Sequence, residues 1–205
     1  MEQQSPEWFA ARLGKVTASR ISDMMAKTKS GWGASRANYA AELVAERLTG
    51  APGERFTNAA MQWGNDKEPD ACAAYAFFAD ADLSEVGFVD HPKIQMTGAS
   101  PDRLVGDKGL VEVKCPNTAT HIETLLGGSV PSKYISQIQW QMACTGREWC
   151  DFASFDPRLP VSMQLFISRV ERDESQIAEM EREVRIFLAE IASTVTRLTE
   201  RYGTP

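Results

Sequence analysis

The sequence predicts an α/β (α+β) fold, a sheet flanked by helices. Helix-period segments fill both ends of the chain, and short β-rich runs lie between them. With 43% hydrophobic content, 205 residues suffice for one well-filled core, so residues 1–205 are expected to form a single domain.

In chain order, Ser5 reads as the cap of a short helix, Pro6–Arg12, because its hydroxyl can accept from a free N–H of the first turn. Thr17-Ala18-Ser19 opens a second helix over residues 20–26. Residues 27–35, rich in Gly, Ser and cations, are expected to be an exposed, mobile loop. Longer helices follow over 38–49, closed by Gly50, and over 58–79, opened by Asn58. Runs 86–89, 94–97 and 110–115 are spaced like a three-stranded meander. Residues 118–126 and 132–144 read as helices, 150–155 and 163–168 as strands, and 174–201 as a final helix.

Composition narrows the chemistry. The start of the chain has neither a basic leader nor an apolar stretch, and no run approaches the roughly 18 apolar residues of a membrane span, so a cytoplasmic protein with no membrane partner is expected. Four cysteines without a C-x-x-C pair fit buried thiols in a reducing compartment, and two histidines give a zinc site or a histidine triad little material. Any catalysis falls to carboxylates. The net charge is -6, yet residues 11–47 carry +4 and residues 171–190 carry -4, which suggests a polarised molecule with its basic window toward a phosphate backbone.

The densest chemistry is Ser100-Pro101-Asp102 followed by Glu112-Val113-Lys114. Side chains of a strand alternate faces, so Glu112 and Lys114 project together while Val111 and Val113 point away. Gly106 and Asp107 suit a tight reversal that folds this strand back beside Asp102. Carboxylates of Asp102 and Glu112 are hard ligands suited to Mg²⁺, or Mn²⁺ in its place, and such an ion keeps waters that a phosphate can displace. The Lys114 ammonium beside them can orient an attacking water or offset charge in the transition state. The pattern reads as a nuclease signature. The same spacing also suits a plain ion pair on an exposed strand, with Asp102 starting a turn.

Four stretches narrow the choice: Trp8-x3-Arg12-x-Gly14-x-Val16-Thr17-Ala18-Ser19, then Trp63-Gly64-x3-Glu68, then Ser100-Pro101-Asp102 with Glu112-Val113-Lys114-Cys115-Pro116, and Gln137-Ile138-Gln139. In order and spacing they resemble the lambda-type exonucleases, the YqaJ-type viral recombinases within the PD-(D/E)xK class. The likeness extends through Asp156-Pro157-Arg158 to Glu171-Arg172-Asp173-Glu174.

That resemblance implies a restriction-endonuclease-like core with a central mixed sheet. It assigns Asp102, Glu112 and the Val113 backbone carbonyl to the metal, Lys114 to the attacking water, Glu68 to a third carboxylate, and Gln139 to the water or scissile phosphate. Arg12, Ser19 and Ser100 would hold a 5′ phosphate. Lys29 and Trp32 would touch the DNA backbone and a base, and Met61 would be either a wedge in the duplex or core filling. The implied activity is Mg²⁺-dependent 5′-to-3′ digestion of duplex DNA ends, preferably 5′-phosphorylated, releasing mononucleotides and leaving a 3′ overhang for strand annealing. A homotrimer, a single-strand annealing protein as partner and a phage or prophage origin follow from the same likeness. Two alternatives stand beside it: another PD-(D/E)xK nuclease, such as a RecB-like nuclease or junction resolvase, and a non-catalytic module that binds DNA ends.

Overall fold

The computed structural model describes residues 2–29, 31–53 and 58–203. Ser5 accepts from the Trp8 N–H at 3.2 Å and starts α1 (Pro6–Arg12), after which come β1 (Val16–Thr17) and α2 (Ile21–Met25). A small hairpin, β2 (Lys27–Thr28) and β3 (Gly31–Trp32), precedes α3 (Ala34–Thr49), which ends at Gly50 in the left-handed region. Asn58 caps α4 (Ala59–Ala79) by accepting from the Met61 N–H at 2.9 Å. The short strands β4 (Leu83–Ser84), β5 (Val89–Asp90), β6 (Thr97–Ala99) and β7 (Arg103–Val105) lead to β8 (Gly109–Lys114). Then follow α5 (Thr118–Gly127), α6 (Ser132–Thr145), β9 (Trp149–Phe155), β10 (Leu165–Glu171) and α7 (Glu174–Tyr202).

The main sheet has the order β10-β9-β8-β7-β4, with β8 and β9 parallel and every other pairing antiparallel. It is the mixed sheet the family likeness implied. At the start of β8 the Trp149 indole covers Gly109 so closely that a Cβ there would lie 2.2 Å from the ring. Only glycine fits.

The expected meander of 86–89, 94–97 and 110–115 is overturned. β5 and β6 pair with β1 in a separate three-stranded sheet, and β8 instead forms a hairpin with β7, which in turn pairs with β4. β4 and β7 are two and three residues long, too short to show an alternation. Met96 adopts φ 61°, which ends extended backbone within the run 94–97. The loop expected over 27–35 is largely the β2–β3 hairpin, although Ser30 lies outside the described residues. Gly33 closes it by donating to the Ala26 carbonyl at 2.8 Å, and α3 starts at Ala34 instead of residue 38.

The core lies on both sides of the main sheet. Val105, Val111, Val113, Ala153 and Phe155 pack against Ala71 and Tyr75 of α4, while Leu110, Cys150 and Phe152 pack against Ile138 and Met142 of α6. Alternation along β8 therefore sends odd-numbered residues toward α4 and even-numbered ones toward α6. A further cluster joins α2, α3, α6 and α7 around Tyr39, Trp140 and Phe187.

Much of the basic N-terminal window is consumed within the fold. Lys15 pairs with Asp90 at 2.6 Å, Arg20 with Asp23 and Glu42, and Arg36 with Glu190 at 3.0 Å. Arg36 is buried, held also by the Met24 carbonyl at 2.9 Å. Asp90 and Glu190 lie outside that window and offset part of the positive field that the linear charge count suggested.

Candidate active site

The β7–β8 hairpin builds the centre of the site. Its register pairs Arg103 with Val111 and Val105 with Gly109, and Gly106 takes φ 49° in the turn. Asp102, one residue before β7, is thereby set against the end of β8, where its Oδ2 accepts from the Val113 N–H at 2.7 Å.

Glu112 and Lys114 share the α6-facing side of β8, and the ammonium is in direct contact with Glu112 Oε1. Glu112 is 1% exposed, so the pair is no ordinary surface ion pair. Two glutamines of α6 complete its environment. Gln137 Nε2 donates to Glu112 Oε1 and Gln141 Nε2 to Glu112 Oε2, each at 2.6 Å. From the other side of the sheet, Glu68 of α4 enters a cavity of about 210 Å³ that Asp102, Val113, Lys114 and Tyr134 also line. Arg103 steadies Glu68 with a 3.3 Å contact from Nη1 to Oε1.

Electrostatics set the protonation states. Burial pushes the Asp102 carboxyl well above its usual range, and the charges of Glu112 and Glu68 add to that. Burial likewise raises Glu68, against the pull of Arg103. For Lys114 burial works downward, but Glu112 and Asp102 outweigh it and hold the ammonium above its ordinary value. The site thus holds the Asp102 and Glu68 carboxyls toward the protonated form while Lys114 stays cationic.

A second cavity of about 770 Å³ adjoins the first, since Asn65 borders both. It is lined by Arg12, exposed Ser19 and Met61, among others. Arg12 Nη1 donates to Ser100 Oγ at 3.2 Å, and the guanidinium lies 4.0 Å from the Trp8 ring centroid. Arg12 and Ser19 thus both line that cavity, and Ser100 is tied to it through Arg12. Met61 is 52% exposed, which removes the core-filling reading. Lys29 is exposed beside the hairpin, while the Trp32 ring already carries the Arg36 guanidinium at 4.0 Å.

Gln139 is a correction. Its Nε2 donates to the Glu171 carbonyl at 2.8 Å and its Oε1 accepts from the Asp173 N–H at 2.9 Å, which fastens α6 to the start of α7. Two residues along a helix is more than half a turn, so Gln139 points away from the side that carries Gln137 and Gln141.

A model of the YqaJ-like viral recombinase domain matches residues 7–148. The chain belongs to that family. It is similar to an alkaline exonuclease (LHK-Exo) from Laribacter hongkongensis, with 55% identity and a TM-score of 0.90 over 96% of this chain and 97% of that one. The structure of LHK-Exo in complex with dAMP matches over the same shares, at 55% identity and a TM-score of 0.91. A phage-related exonuclease from Haemophilus somnus 129PT shares the fold at 14% identity, with a TM-score of 0.72 over 90% of this chain and 96% of that one. Comparison with curated proteins found no match. The α/β nuclease fold and the enzyme class expected from the sequence are those this family and relative carry.

In this YqaJ-like chain, sequence reasoning missed Tyr134, Gln137, Gln141 and Arg103. The first three recur at i, i+3 and i+7 along α6, the spacing of one helix face. That spacing marks one shared face, though not which face meets the sheet. Arg103 carried none, because only the hairpin places it next to Glu68.

Proposed function

We propose that residues 1–205 act as one domain, a Mg²⁺-dependent exonuclease that digests one strand of duplex DNA from a 5′ end. The observation that carries this reading is the junction of Asp102, Glu112 and Lys114 beside a cavity that also admits Glu68.

The donor set fits a hard divalent ion. Among the described residues no three His, Cys, Asp or Glu side chains are placed to hold a metal ion together, and Mg²⁺ does not need three. One or two carboxylates with retained waters suit it, and Mn²⁺ can stand in. Asp102 and Glu112 would hold the ion with the Val113 carbonyl, and Glu68 would act directly or through water. Burial lifts the Asp102 carboxyl and the charges of Glu112 and Glu68 add to it, and a cation between these groups would relieve both. When bound, such an ion supplies Lewis-acid polarisation of the phosphate and a more acidic water.

The chain's own residues do the rest. Lys114, its ammonium held by Glu112, orients or activates the attacking water and offsets negative charge growing on the phosphate. Gln137 takes the role first read for Gln139. Arg12 with Ser100 and Ser19 binds the terminal 5′ phosphate through a planar fork of donors and hydroxyls. Lys29, Trp32 and Met61 contact the duplex. The reaction releases mononucleotides, a product class to which the dAMP bound by LHK-Exo belongs. In the cytoplasm of a host bacterium the enzyme would act as a homotrimer beside a phage single-strand annealing protein, supplying 3′ overhangs. Among the described residues no helix is long and apolar enough to cross a membrane.

End-labelled linear duplexes with 5′ phosphate, 5′ hydroxyl or 3′ phosphate ends, a closed circle and a four-way junction, each with and without Mg²⁺, test this reading. Fastest Mg²⁺-dependent release from the 5′-phosphorylated end supports it. Cleavage of the circle or junction at a matching rate would replace it with an endonuclease or resolvase.

A further inference from the structure

Gln141 follows Gln137 by one turn of α6 and is fully buried. Its Nε2 donates to Glu112 Oε2, yet its side-chain Oε1 is buried with no donor among the described residues. A buried amide satisfied at one end only is less favourable than an apolar side chain of the same length. Packing alone does not account for a glutamine there.

The contacts of Glu112 supply the reason. Its Oε1 is engaged by Lys114 and Gln137, and its Oε2 by Gln141. With a separate donor on each oxygen, the carboxylate cannot rotate about its own axis without breaking a hydrogen bond. Gln137 cannot replace Gln141, because it is spent on the other oxygen. The geometry points to Gln141 as the positioning residue of Glu112, fixing the plane of that carboxylate and thereby setting the affinity of the site for a divalent cation. This rests on the cation-binding reading proposed above. Hydrogen-bond partners behind a ligating carboxylate orient it, and their removal typically weakens metal binding by about 10- to 100-fold.

The test compares the full-length parent with Gln141→Met and Gln141→Asn, without DNA. Free Mn²⁺ is titrated by electron paramagnetic resonance, and melting is recorded in EDTA. Gln141→Met keeps the length; removing the orphaned Oε1 offsets the donor lost to Glu112 Oε2, so it should melt near the parent and bind Mn²⁺ about tenfold more weakly. Nucleotide release by this variant should recover at saturating Mn²⁺, which a purely structural defect would not do. Gln141→Asn holds its amide one methylene short and should weaken Mn²⁺ binding in the same direction, which covers the case in which the methionine variant misfolds. Parent-like Mn²⁺ affinity in both variants overturns the inference while leaving the cation site intact. Failure of the parent itself to bind Mn²⁺ overturns the cation reading, and this inference with it.

Discussion

Val113 donates its backbone N–H to Asp102 Oδ2 at 2.7 Å, so the strand that carries Glu112 and Lys114 is tied directly to the first carboxylate. Asp102→Asn can keep this acceptor through its amide oxygen while losing the charge. Cation-dependent nucleotide release should fall by roughly 100-fold or more, the scale of losing one charge-stabilising group. Melting in EDTA should stay at or above the parent, because a buried carboxyl with a raised pKa is removed. Wild-type release by this variant contradicts the assignment.

The raised carboxyl of Asp102 also gives cation binding a pH dependence. Below its folded-state pKa a proton occupies the ligand, so Mn²⁺ affinity should climb as pH rises through that value and level off above it. Without cation the sign is opposite for stability. The folded state holds this proton more tightly than the unfolded chain, so stability in EDTA should fall as pH rises from about 4, the unfolded value, to the raised folded value. Calorimetric titration and melting across pH check both, and Asp102→Asn should flatten each curve.

Gln137 and Gln139 lie two residues apart and should fail in different ways. Gln137→Met loses a donor to Glu112 and should lower kcat with little change in melting. Gln139→Met leaves the Asp173 N–H and Glu171 carbonyl without their partner, at a cost of about 1–3 kcal/mol, while activity per folded molecule stays near that of the parent. Equal loss of kcat in both variants contradicts the placement of α6.

Asp156 is buried under Arg158, whose guanidinium also lies 4.4 Å from the Trp63 ring centroid and donates to the Pro116 carbonyl at 3.2 Å. Burial alone would raise this carboxyl, but the bonds from Arg158 outweigh it and hold the pKa at about 2. A depressed pKa stabilises the fold fully above the unfolded value of about 4 and loses that contribution as pH falls toward 2. Asp156→Asn should therefore lose about 1–2 kcal/mol at neutral pH, with the difference from the parent shrinking below pH ~4; the figure allows for the exposure of Arg158. Urea unfolding at several pH values measures it.

Strand β8 was legible because its signal is local: a period-2 alternation puts Glu112 and Lys114 on one face, and a glycine turn returns the chain to Asp102. Most helices were legible through their caps, as at Ser5, Asn58 and Gly50. What failed depends on relations between elements. The phase of α6 against the sheet decides that Gln137 and Gln141, and not Gln139, meet Glu112, and no local pattern fixes that phase. The pairing of β6 with β1 spans 81 residues, and β4 and β7 are too short to announce themselves. The basic window looked free in the sequence because Asp90 and Glu190, which neutralise Lys15 and Arg36, are distant along the chain.

The central claim is that Asp102 and Glu112 jointly grip a divalent cation beside Lys114. Anomalous diffraction from crystals soaked in Mn²⁺ tests it most directly. A single strong peak coordinated by both carboxylates, absent in Asp102→Asn, is the expected result; full soaking with no peak between them, or an unchanged peak in the variant, would contradict it.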